Sequence, residues 1–153
     1  MNFLNDKFDF VDYQSDKKIV FPIKINPTIV KKNIGHRKKN LELRDSFISF
    51  MKDILAEGRS IIEKDFKKNN KGLVCVASQS HLMDQTIKIL FEKYKYLNVS
   101  QDLSLIAIGG FGRRELAPFS DIDLLFLVGH KKNKNRDKLI NKILYSLWDL
   151  NLK

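Results

Sequence analysis

Two aspartates at the mouth of an apolar strand constrain this chain more than any other feature. Residues 122–128, Ile-Asp-Leu-Leu-Phe-Leu-Val, have the length and composition of a buried strand. Asp121 and Asp123 stand at its start. Residues two apart on a strand point to the same face. Both carboxylates therefore aim at one place, while Ile122 and Leu124 face the other way. An earlier apolar run, residues 103–108, reads as a second strand and ends at the pair Gly109-Gly110. Residues 109–120 turn between the two runs and carry Gly112, Arg113 and Arg114. The pattern predicts a strand–turn–strand unit with two acids at one end.

Paired acids in an apolar setting raise each other's pKa or recruit a cation. A hard divalent cation such as magnesium takes oxygen ligands of this kind. Gly109, Gly110 and Gly112 let the backbone approach a bulky anion and offer it N–H groups. Glycine-rich turn, arginines and paired aspartates together describe a site for a metal-bound nucleoside triphosphate. A lone Asp-x-Asp is usually solvated and a lone Gly-Gly is usually a turn. The order of the pieces carries the reading.

At these residues the chain resembles a known family. Gly109-Gly110, ten further residues and Asp121-Ile122-Asp123 resemble the signature of the polymerase-beta-like nucleotidyltransferase superfamily. The finer string Gly-Gly-Phe-Gly-Arg-Arg-Glu-Leu-Ala-Pro-Phe-Ser-Asp-Ile-Asp-Leu resembles one branch, the bacterial PII uridylyltransferase/uridylyl-removing family. Gly58-Arg59 upstream and Leu147-Trp148-Asp149 downstream extend the likeness over residues 41–153. The resemblance implies an α/β (α+β) fold: a small mixed sheet flanked by helices, the polymerase-beta-like nucleotidyltransferase fold in truncated form. It implies transfer of UMP from UTP to a tyrosine of the PII signal protein. Asp121 and Asp123 would be the catalytic acids and the magnesium ligands. Gly109, Gly110 and Gly112 would bind the nucleotide through the backbone. Arg113 would balance phosphate charge or pair with Glu115. Ser120 would bond a phosphate oxygen or cap the turn. Arg114 receives no role.

In that family a further strand supplies another acid, and a uridylyl-removing domain and two glutamine-sensing domains follow. This chain stops at Lys153, and its three histidines are scattered. The expectation is the front part of a transferase domain with little or no turnover by itself. Two other readings stay open. The net charge of +10, from 28 basic and 18 acidic residues, suits an RNA-directed nucleotidyltransferase. The Gly-Gly-Phe-Gly-Arg-Arg-Glu-Leu string argues against it. The other is a non-catalytic remnant of a truncated gene.

The remainder is organised around that unit. Residues 1–40 form a poorly patterned arm and a basic linker with Lys31, Lys32, Arg37, Lys38 and Lys39. Residues 41–153 form the incomplete domain, with a helical lead-in over 41–97, the strand–turn–strand over 103–128 and a helix over 136–150. Apolar residues recurring at three and four predict one helix over residues 41–67, closed by Asn69-Asn70-Lys71-Gly72. A second runs from about Ser80 to Tyr96, with Ser78 or Ser80 as N-cap. Residues 129–136 read as an exposed basic loop. Leu139, Ile140, Ile143, Leu144, Leu147 and Trp148 give the last helix its apolar face, with Asp137 in its first turn and Asp149 at a solvated end. No apolar run approaches the roughly 18 residues of a membrane span. A single cysteine, Cys75, rules out an internal disulfide and suits a reducing cytoplasm.

Overall fold

The computed structural model describes residues 10–11, 18–19, 41–94, 97 and 103–152. The basic linker at residues 31–39 and most of the N-terminal arm lie outside the described residues. Two short strands, β1 (Phe10–Val11) and β2 (Lys18–Ile19), pair antiparallel. Then come α1 (Leu41–Asn69), α2 (Gly72–Tyr94), β3 (Leu103–Ala107), a single turn α3 (Gly109–Gly112), β4 (Leu124–Val128) and α4 (Lys134–Asp149).

Helix α2 is the centre of the molecule. Residues on most of its circumference are buried, including Cys75, Ala77, Leu82, Met83, Ile87, Ile89, Leu90 and Tyr94. No residue from Val74 to Tyr94 is exposed, so the helix is covered nearly all round, polar positions such as Ser78, Gln79 and Thr86 included. Helix α1 packs on it through Phe47, Ile48, Met51, Leu55 and Ile62. A β-carbon at Gly58 would lie 2.8 Å from Leu82 Cδ1, so the two helices come close together at that point. Helix α4 adds Leu139, Ile143 and Leu147. The Tyr94 hydroxyl and Ser146 Oγ, 2.7 Å apart, join α2 to α4 inside the core.

Several local expectations are corrected. Helix α2 begins at Gly72, so Ser78 and Ser80 are interior helical residues and not caps. Ser80 Oγ donates to the Val76 carbonyl at 3.0 Å and accepts from the Leu116 N–H at 3.1 Å, which satisfies the hydroxyl within the helix. Arg136 is buried, not part of an exposed loop. Its Nη1 donates to the carbonyls of Gly129 and Lys131, both at 2.9 Å, pinning the connection from β4 to α4. Asn133 caps α4 instead, its side chain accepting from the N–H groups of Asn135 and Arg136. Trp148 is 63% exposed and stacks edge-on with Tyr145 at 5.5 Å, because the buried stripe of α4 passes through Leu147 one position away. Asp149 is ion-paired with Arg44, which joins α4 to α1.

Helices α1 and α4 both close on asparagine. Asn70 (φ +51°) follows α1, and its N–H donates to the Phe66 carbonyl at 2.7 Å. Asn151 (φ +55°) follows α4, and the Leu152 N–H reaches back to the Leu147 carbonyl at 2.9 Å. That second pattern is a Schellman closure, and it buries Leu152.

Strands β3 and β4 are antiparallel, with Leu103 opposite Val128 and Ala107 opposite Leu124. Leu105, Ala107, Leu124 and Phe126 pack toward the helices. The other face is open: Ile106, Leu125 and Leu127 are exposed there. No helix among the described residues is long and apolar enough to cross a membrane.

Candidate active site

Strand β3 delivers the chain to Gly109, and β4 takes it away from Asp123. The Ile108 N–H donates to the Asp123 carbonyl at 3.1 Å, carrying the β3–β4 register one step past the ladder. Asp121, Ile122 and Asp123 therefore precede β4 instead of lying inside it. Exposure still alternates through them. Asp121, Asp123, Leu125 and Leu127 are exposed, whereas Ile122, Leu124 and Phe126 are half-buried. Both carboxylates belong to exposed residues just ahead of the strand.

The glycines have separate reasons to be glycine. Gly109 has φ +60°, and a β-carbon there would lie 2.5 Å from Asp123 Oδ2. The Asp123 carboxylate thus rests directly on the backbone of the turn. A β-carbon at Gly112 would lie 2.5 Å from the Ala107 carbonyl oxygen, because α3 folds back against the end of β3. Gly110 has room: its nearest neighbour would be the Glu115 carbonyl at 3.5 Å. The Gly112 N–H donates to Ile108 and the Glu115 N–H to Gly110, at 2.9 and 2.8 Å, closing the turn. The leading N–H groups of a helical turn have no acceptor within it, and Ile108 offers no side-chain cap.

Arg113 pairs with Glu115 at 3.0 Å, both side chains being largely exposed. Ser120 caps through its backbone, with its N–H donating to the Ala117 carbonyl at 3.1 Å. Its side chain lines a pocket of about 270 Å³ beside Asp121. Arg59 from α1 and Gln79 from α2 face the same pocket, with Met83, Leu116, Ile122 and Leu152 as apolar wall. Sequence reasoning assigned neither polar residue. Gly58-Arg59 was a signal for the first; nothing in the sequence marked Gln79.

A second polar cluster lies on α2, displaced around the helix from Gln79. Burial pushes the pKa of His81 down, reinforced by the cations of Lys88 and Arg114. Burial raises that of Asp84, and the same two cations oppose the rise.

Among the described residues no group of three or more His, Cys, Asp and Glu side chains converges as a metal cage. Magnesium commonly takes one or two protein carboxylates and completes its shell with water and substrate phosphate. Two exposed carboxylates two positions apart, one of them against the glycine backbone, are of the kind that demand takes.

Comparison with known proteins gives this geometry a family. The bifunctional uridylyltransferase/uridylyl-removing enzyme of Rhodospirillum rubrum is 35% identical over 122 residues, 74% of this chain and 13% of the relative. The enzyme of the same description from Azospirillum brasilense is 34% identical over 123 residues, 73% of this chain and 13% of the relative. Over that shared stretch, the chain belongs to the bifunctional uridylyltransferase/uridylyl-removing family. It spans about an eighth of the length of the curated relatives it matches. No family model and no solved structure matches it. The uridylyltransferase relatives support a nucleotidyltransferase kind of role for the region.

Proposed function

We propose that this region is the nucleotide- and metal-binding front of a uridylyltransferase domain, passing UMP from UTP to a tyrosine hydroxyl of the PII signal protein in the cytoplasm. The observation that carries the reading is the contact between the Asp123 carboxylate and Gly109, with Asp121 exposed two positions earlier. A triphosphate laid over Gly109 and Gly110 meets their N–H groups and the two carboxylates at once.

In this reading Asp121 and Asp123 hold magnesium, which supplies charge neutralisation at the phosphates when bound. The rest is the work of the chain itself. Gly109 and Gly110 donate to phosphate oxygens, and Gly112 keeps the turn tight enough to aim them. The sheet holds the carboxylates in fixed register with the turn, which limits the reorganisation needed for in-line attack. Arg113, tied to Glu115, would reach a phosphate only by leaving that partner.

The test is label transfer. The chain is incubated with PII protein, magnesium and UTP labelled at the α-phosphate. Slow transfer that Asp123→Asn abolishes supports the reading. Labelling that is indifferent to Asp123→Asn overturns it. Salt-sensitive binding of RNA, with RNA as the labelled acceptor, would point to an RNA-directed enzyme instead.

A further inference from the structure

We infer that the pocket beside Asp121 is a polyphosphate subsite, and that Arg59 and Gln79 are its binding residues. This rests on the nucleotidyltransferase reading and adds to it two residues from helices outside the glycine–aspartate motif.

The placement begins with Gly58. Because that residue carries no side chain, α1 comes down onto Leu82 of α2. The next residue, Arg59, is thereby set beside Gln79 and Met83, which flank Leu82 on α2. Arg59, Gln79, Ser120 and Asp121 all line the one pocket. Gln79 is 7% exposed, and what remains uncovered of it lines this pocket. A carboxamide lining a pocket can offer N–H donors to an anion seated there. Arg59 is half-buried and lines the same pocket.

The charges set the chemistry. A cation and a carboxylate lining one pocket suit a ligand with a negative end and a positive end. A metal-bound polyphosphate is such a ligand: the metal faces Asp121, and the phosphate oxygens face Arg59, whose planar fork matches them in pairs. The Ser120 hydroxyl and the Gln79 amide supply further donors. At about 270 Å³ the pocket is smaller than sites that enclose a whole drug-sized ligand, so it suits one part of a nucleotide.

Magnesium tripolyphosphate and uridine separate the phosphate part from the base part. Calorimetry on the full chain compares wild type with Arg59→Gln, Arg59→Lys and Gln79→Leu. Arg59→Gln should weaken magnesium tripolyphosphate and magnesium UTP alike, by roughly ten- to a hundredfold for one lost charge-assisted pair. Arg59→Lys should recover part of that loss, since it keeps the charge and loses the fork. Gln79→Leu should weaken tripolyphosphate by a smaller factor. Thermal melts check folding, and Arg59→Lys carries the test if Arg59→Gln is unfolded.

Tripolyphosphate affinity indifferent to Arg59, no tripolyphosphate binding by wild type, or an equal loss of uridine binding would each overturn the inference. The last result would make the pocket a base site. If Asp121 and Asp123 control magnesium UTP binding and Arg59 does not, this inference fails alone. If tripolyphosphate binding needs Arg59 but not magnesium, the metal reading fails and the subsite stands.

Discussion

The Asp123 carboxylate and the α-carbon of Gly109 touch so closely that a methyl group on the glycine would overlap Asp123 Oδ2, at 2.5 Å. The contact joins the two halves of the motif across fourteen positions of chain. A side chain at position 109 would have to displace the Asp123 carboxylate.

Gly109→Ala therefore meets both a clash and an unfavourable left-handed backbone at φ +60°. It should cost about 1–2 kcal/mol from the backbone alone and should weaken magnesium UTP binding by displacing Asp123. Gly110→Ala, with 3.5 Å of clearance, should change stability by less than about 0.5 kcal/mol. Urea denaturation of both variants checks the contrast; equal losses would mean that the two positions are sterically alike.

Gly112→Ala should be worse than Gly110→Ala for a different reason. Its methyl would lie 2.5 Å from the Ala107 carbonyl oxygen, and a backbone atom cannot rotate away. The turn must open to admit it, so both stability and nucleotide affinity should fall. A thermal melt within a degree of wild type would contradict the turn geometry.

Arg136→Met tests the pin between β4 and α4. It leaves the carbonyls of Gly129 and Lys131 without their donor. The expected loss is about 2–3 kcal/mol, with UTP affinity of the folded protein unchanged. Arg136 Nε also lies 3.5 Å from Asp137 Oδ1, but without a hydrogen bond. Asp137→Asn should accordingly cost far less than Arg136→Met in the same urea titration.

His81 gives the fold a pH dependence whose sign is fixed. Burial holds its folded pKa below the ordinary 6.5. As the pH falls through 6.5 the unfolded chain gains a proton that the folded chain resists. This contribution is therefore complete above pH 6.5 and is lost as the pH drops through the folded value. Asp84, raised above its ordinary 3.8, has the opposite slope in a more acidic window. Subtracting the stability of His81→Gln from that of wild type at each pH isolates the histidine. The difference should move against wild type on acidification; a flat difference would contradict the burial of this side chain.

The site was legible in the sequence where local spacing decides geometry. The two strands, the glycine turn between them and the place of Asp121 and Asp123 ahead of the second strand follow from apolar runs and from glycine's freedom at positive φ. Helix α1 and the buried stripe of α4 follow from period-3.6 patterning. What stayed hidden depends on tertiary partners. Ser80 has the look of a cap, but it is satisfied inside α2 by Val76 and Leu116. Arg136 reads as a solvated cation until the carbonyls of Gly129 and Lys131 turn toward it. Arg59 and Gln79 line one pocket with Asp121 where α1 and α2 meet near Gly58, a contact that no periodicity encodes.

The central claim is that two aspartates bind nucleotide through a metal, and calorimetry of UTP with the full chain tests it most directly. Titrations are run with magnesium and with EDTA, for wild type and for Asp121→Asn combined with Asp123→Asn. Wild type should bind UTP more tightly with magnesium than with EDTA, and the double variant should lose that difference while keeping its thermal melt. Equal UTP affinity of wild type in magnesium and in EDTA would contradict the account.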